Sequence, residues 1–190
     1  TCRMASSSVS LAAAAAPIKV VATTGMIADA ARVLAGDRAK VTNLMGPGVD
    51  PHAYRQTQSD VRALARADLI LWNGLYLEAQ LEELMGRLAQ RQRVVAVAEA
   101  VPVDRRIAHD DYDGRYDPHV WMDPALWAFV VNAVRDALIA ADPAGEAEYR
   151  AAAETHQADI AALGAYARGV LASVPADSRV LISAHDAFNY

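Results

Sequence analysis

Cysteine is nearly absent from this 190-residue chain. Cys2 stands alone, which excludes an intramolecular disulfide and any thiolate metal cluster. A basic excess is missing as well: the formal net charge is -5 and no Lys/Arg-rich run occurs, so the sequence offers no nucleic-acid surface. No apolar run reaches the ~20 residues needed to span a bilayer. Catalytic signatures are also lacking. There is no His-Glu-x-x-His and no Ser/His/Asp nucleophile elbow. Gly46-Pro47-Gly48 has neither the lysine nor the spacing of a phosphate loop. No glutamate lies beside the histidines discussed next as an obvious general base.

What is present is a recurrence among only five histidines. Asp-Pro-His appears at Asp50-Pro51-His52 and again at Asp117-Pro118-His119, and His185 follows in Ser183-Ala184-His185-Asp186. Neutral imidazole is the commonest protein ligand for transition metals, and an adjacent carboxylate often selects which ring nitrogen faces the ion. His52, His119 and His185 are therefore candidate metal ligands, with Asp50, Asp117 and Asp186 as candidates to orient them. Proline biases the aspartate before it toward extended backbone, which suits a ligand held on a loop. Turn and cap chemistry accounts for Asp123-Pro124 and Asp142-Pro143, which carry no histidine. It leaves the histidines of the other two pairs unexplained. His156 falls on an apolar helical stripe and reads as packing; His109, beside Asp110-Asp111-Tyr112-Asp113, reads as solvated. Trp121, two residues after His119, reads as a wall that keeps water from the site.

Between these motifs, short apolar runs alternate with helical periodicity. Strands are expected at residues 18–22, 40–45, 68–72 and 93–98, with helices to about Ala35, from Thr57 or Ser59 to Ala67, and over 77–89. This alternation indicates a parallel sheet with helices on its faces, where ligands sit beyond the carboxyl ends of the strands. Asp123-Pro124 and Asp142-Pro143 each read as a helix start. The second helix runs over about 144–173, with Tyr149, Ala153, His156, Ile160, Leu163, Ala167 and Val170 on its apolar stripe. That length is expected of a strut between lobes. Residues 179–183 read as a strand that delivers His185.

Cys2 admits two readings, a lipid-bearing cysteine or, with Arg3 and the run from Val9 to Ala16, the tail of a signal peptide. Either makes residues 1–16 a leader and the protein an exported one. The chain opens without methionine and stops just after a motif, and is expected to be a fragment lacking a C-terminal portion.

Several segments occur together in one family. They are Thr23-Thr24-Gly25-Met26-Ile27-Ala28-Asp29, Met45-Gly46-Pro47-Gly48-Val49-Asp50-Pro51-His52, Asn73-Gly74-Leu75-Tyr76-Leu77-Glu78, Asp117-Pro118-His119-Val120-Trp121 and Ala184-His185-Asp186-Ala187-Phe188. The chain resembles the TroA-type (cluster A-I) zinc/manganese solute-binding proteins of metal ABC transporters, from about Ile18 to Tyr190. The resemblance implies an α/β fold of two parallel-sheet lobes joined by a single long backbone helix, the second lobe truncated in this chain. The N-terminal lobe would cover 17–142, the linking helix 143–173, and the start of the C-terminal lobe 174–190. It further implies His52 and His119 as metal ligands from the first lobe, His185 as the first from the second, and a fourth, carboxylate ligand beyond Tyr190. Asn189 stands where the family usually has glycine, a place where asparagine tolerates left-handed backbone.

Three imidazoles and a carboxylate suit Zn²⁺ by ligand type and also hold Mn²⁺. The expected role is capture of Zn²⁺ or Mn²⁺ outside the cytoplasm by a monomer, and delivery to an ABC permease and its ATPase, without catalysis. Two alternatives stand beside it: a three-histidine zinc hydrolase or lyase with water at the fourth position, and a metal-binding adhesin.

Overall fold

The computed structural model describes residues 16–109 and 112–190. The leader expectation, with Cys2, and the Asp110-Asp111 pair lie outside the described residues. Four parallel strands form one sheet: β1 (Ile18–Ala22), β2 (Ala39–Asn43), β3 (Leu69–Trp72) and β4 (Val94–Ala96), in the order β2-β1-β3-β4. The two central strands are buried on both faces, as parallel strands covered by helices must be. Their period of two divides the apolar side chains between two cores. Val20, Ala22, Leu69 and Leu71 face α1 (Gly25–Ala35), α4 (Pro124–Ala141) and α5 (Glu146–Ala172). Val21 and Ile70 face Leu64 of α2 (Gln58–Ala65) and Met85 of α3 (Glu82–Ala89). From β1 the chain moves outward to β2, then returns to place β3 on the other side of β1. That reversal opens a crevice at the carboxyl ends of the strands.

Helix starts follow their sequence signals in two cases. Thr57 and Asp60 form a reciprocal capping box on α2, and Asp123 accepts from the Ala125 N–H at 2.8 Å with Pro124 in the first turn of α4. Helix α4 is long and apolar enough to cross a membrane by length and composition alone, although no run reaches twenty apolar residues. Its Leu126, Val130, Val131, Val134 and Leu138 are core residues packed on the sheet. Helix α5, 27 residues or about 40 Å long, is fixed at its start by Tyr149. The Tyr149 hydroxyl donates to Asp142 at 2.7 Å, and Arg38 donates to the same carboxylate at 2.9 Å.

Four expectations change in the structure. The Asp142-Pro143 pair opens a 3-10 turn over Pro143–Gly145, and α5 begins only at Glu146. The apolar stripe of α5 is buried at Tyr149, Ala153, Ile160 and Gly164, the last against Pro124 at the start of α4; Val170, beyond that contact, is exposed, and so is Leu163 beside Gly164. Residues 179–183 form no strand. Val180, Leu181 and Ile182 are 76%, 69% and 91% exposed, with no sheet edge beside them among the described residues to pair their backbone. The helix expected over 77–89 begins late, as a 3-10 turn at Ala79–Leu81 leading into α3 at Glu82.

Glu78 causes that delay. It is fully buried, and its carboxylate accepts from the Thr23 hydroxyl at 2.6 Å, the Asn73 N–H at 2.9 Å and the Gly74 N–H at 3.2 Å. Burial pushes the Glu78 carboxyl up, against these three donors, which favour the ionised form. The reach back to the end of β3 draws Gly74, Leu75 and Tyr76 into left-handed backbone, with φ of 76°, 51° and 70°. Gly74 could not be replaced cheaply, since a Cβ there would stand 2.8 Å from that of Ala96. The Asn73 side chain then donates to the Pro118 carbonyl at 3.2 Å, tying this turn to the second Asp-Pro-His loop. Replacement Glu78→Gln turns one acceptor into a donor and leaves a buried donor unanswered. It should cost about 1–3 kcal/mol in urea unfolding of the metal-free protein. An unchanged unfolding midpoint would show that the carboxylate does not hold the turn.

Candidate metal centre

His52 sits on the loop after β2. Gly48 turns that loop with φ of 79°, and the His52 backbone N–H donates to Asp50 Oδ1 at 2.9 Å. Asp50 thus shapes the backbone that presents the ring. His119 ends the segment after the Ala108–Tyr116 bridge and precedes a 3-10 turn at Val120–Met122. Asp117 repeats the Asp50 turn, accepting from the His119 N–H at 2.9 Å, and also lies 2.7 Å from His119 Nδ1. An ionised carboxylate accepts only, so Nδ1 carries the proton and the Nε2 lone pair points into the site. Against burial, which raises it, hydrogen bonds from His119 hold the Asp117 carboxyl down at about 2, with Asn189 adding to them. His185 lies in an irregular exposed segment, where its N–H donates to the Ser183 hydroxyl at 3.2 Å and that hydroxyl donates to the His185 carbonyl at 2.9 Å.

The three rings converge through their Nε2 atoms. His52 and His119 are 3.3 Å apart there, and His119 and His185 are 3.1 Å apart. The three form a metal-competent group with all donor atoms within 4.8 Å of one another. A tetrahedral ion with Zn–N of about 2.0–2.1 Å requires neighbouring nitrogens about 3.3–3.4 Å apart, close to both separations. The His52 pKa is lowered, first by burial and then by the neighbouring His119. Both effects favour the neutral imidazole, which is the ligating form.

The rings separate two cavities. One, of about 370 Å³, is bordered by Asp50, Asp117, Asp186, His109, Tyr112 and Asn189. The other, of about 450 Å³, is bordered by Pro51, Trp121, Met122 and Phe188. Trp121 meets His119 edge-on at 5.1 Å between centroids, where the sequence places a wall. His156 is half-buried and borders a separate cavity of about 300 Å³ together with Met26, Trp127 and Ile160. Asp186 borders the first cavity, and the turn at His185 is held by Ser183.

His109 departs from its expected solvated place. It is half-buried, stacks edge-on against Tyr112 at 4.8 Å and borders the same cavity as the three ligand candidates. The antiparallel Ala108–Tyr116 bridge folds this segment back on itself and brings His109 to the cavity. Two further contributors carried no ligand-type signal in the sequence: Glu78, through Asn73, and Asn189, whose side-chain amide donates to Asp117 Oδ2 at 3.0 Å. Among the described residues, positive φ outside glycine occurs only at Leu75 and Tyr76, so Asn189 does not use the left-handed tolerance expected of it.

The family model described as zinc-uptake complex component A, periplasmic (ZnuA), matches residues 20–190. The zinc-binding protein TroA of Treponema pallidum is 44% identical over 171 residues, covering 90% of this chain and 55% of its own length. The manganese-binding lipoprotein MntA of Bacillus subtilis is 39% identical, covering 91% of this chain and 56% of its own. The iron-binding protein YfeA of Yersinia pestis is 36% identical, covering 90% and 55%. The solved structure of periplasmic TroA from Treponema pallidum superposes with a TM-score of 0.88 at 43% identity, over 91% of this chain and 62% of that one. The chain spans just over half the length of the curated relatives it matches. With the family model matching residues 20–190, all three histidine segments among them, this chain belongs to the ZnuA/TroA family of metal ABC solute-binding proteins.

Proposed function

We propose that this chain captures a divalent transition metal, Zn²⁺ or Mn²⁺, outside the cytoplasm for delivery to the permease and ATPase of an ABC importer. One observation carries the reading: three Nε2 atoms from three separate loops approach to 3.1 and 3.3 Å, a spacing that favours a shared cation. His52 and His119 are the ligands from residues 17–142, and His185 is the ligand from residues 174–190. Helix α5 runs between these two parts as a strut. Asp117 sets the tautomer of His119, and Asp50 the loop geometry of His52.

Three neutral imidazoles suit Zn²⁺ by ligand type, and relatives named for zinc, manganese and iron indicate that the scaffold accommodates more than one ion. The protein acts by binding rather than by turnover. Its relatives are named as metal-binding proteins, and Asp117, with Oδ1 2.7 Å from His119 Nδ1, is committed to His119 and Asn189.

Chelator-competition titration of the full-length protein with Zn²⁺ should give one tight site. His52→Ala and His119→Ala should each weaken it by more than about 100-fold, above the range typical of an outer partner. Unchanged affinity in both variants would remove the site assignment, and hydrolysis of an ester or hydration of CO₂ by the loaded protein would replace capture with catalysis.

Protons compete with the metal for the same lone pairs. Zn²⁺ affinity should therefore be level near pH 7–8 and fall as pH drops below about 6.5. In the metal-free protein the lowered His52 pKa means that the unfolded chain binds more protons than the native one, between the folded His52 value and about 6.5. Stability should rise with pH through that window. Affinity independent of pH from 5 to 8 would contradict imidazole ligation.

A further inference from the structure

We infer that Asn189 is a positioning residue for the metal site, acting through Asp117 to fix His119 and to couple it to the segment carrying His185. The inference rests on the capture reading above. Its geometry begins at Asp117, a residue only 5% exposed, whose two carboxylate oxygens have separate duties. Oδ1 serves both His119 contacts, at 2.9 and 2.7 Å, while Oδ2 accepts from Asn189 Nδ2 at 3.0 Å. A carboxylate engaged through one oxygen alone can swing about its terminal torsion, which has a broad minimum. The second bond fixes the plane of the group and therefore the direction from which it holds the His119 ring.

Asn189 is four residues beyond His185, itself exposed, on a segment that buries Ala187 and half-buries Tyr190. Tyr190 adds a parallel attachment: its hydroxyl donates to the Asp117 carbonyl at 3.0 Å and accepts from the Ile107 N–H at 3.0 Å. Both bonds can form only when the His185 segment lies against the second Asp-Pro-His loop. The correct orientation of His119 and the arrival of His185 are thus one event. Asn189 also influences the donor strength of His119, because an amide N–H on Oδ2 withdraws charge from the carboxylate that polarises the imidazole.

The test uses full-length protein and Zn²⁺ in chelator competition, with ring ¹H–¹⁵N spectra of the metal-free protein as a second readout. Asn189→Ala should weaken Zn²⁺ by about 10-fold, within the range for a partner outside the coordination sphere. Asn189→Asp, which sets a like charge against Asp117, should weaken it further. In an Asp117→Asn background the Asn189→Ala effect should shrink to near nothing, because the two residues act in series. The metal-free spectra should show the His119 ring signals displaced by Asn189→Ala and those of His156 unmoved. An Asn189→Ala protein with native affinity and native His119 signals would overturn the proposal, as would an equal fold-loss in both backgrounds. These failures are separable from failure of the site itself, which appears as native affinity in His119→Ala.

Discussion

The hydrogen bond between Asp117 and His119 Nδ1 is the constraint on which the site depends. A buried imidazole presents either nitrogen according to what its other nitrogen meets. Here a carboxylate 2.7 Å away accepts a hydrogen bond from the protonated Nδ1 and leaves the Nε2 lone pair facing His52 and His185. The carboxylate is itself nearly inaccessible, so its position must be secured by donors on every side. They come from the His119 backbone, the Asn189 amide and the His119 ring, while the Tyr190 hydroxyl secures the Asp117 carbonyl. Loosening any of them changes where one lone pair points.

The sheet supplies the rest of the precision. Because the strand order reverses at β1, the loops after β1, β2 and β3 rise around one crevice. Glu78 draws the Thr23 and Asn73-Gly74 loops together from below, and the Asn73 amide passes that order to Pro118, one residue before His119. A carboxyl group buried in the core therefore serves as scaffold for a site it does not touch. The left-handed backbone at Leu75 and Tyr76 shows that the turn is held against local preference.

Much of this was legible in the residues, and the boundary is physical. Strands such as 18–22 and 69–72 are short apolar runs between turn signals, and α2 and α4 announce themselves through Thr57 and Asp123. The ligand candidates stood out because aspartate, proline and histidine recur in one order. Long-range partners left no such trace. Nothing near Glu78 in the sequence indicates Thr23, 55 residues away, and nothing near Asn189 indicates Asp117, 72 residues away. His109 was misplaced for the same reason, since a single antiparallel bridge decides which way its loop folds. The 179–183 segment shows the converse: β-branched and aliphatic residues make a strand only where an edge exists to receive their backbone bonds.

Selectivity follows from the same chemistry. In the proposed capture role, three imidazoles would form a nitrogen-rich set that favours Zn²⁺ over harder ions at equal supply. The central claim is that His52, His119 and His185 bind one ion through Nε2. X-ray absorption at the zinc edge of the loaded full-length protein measures this most directly. Three imidazole nitrogens at about 2.0–2.1 Å are expected. A spectrum with one imidazole or none would contradict it.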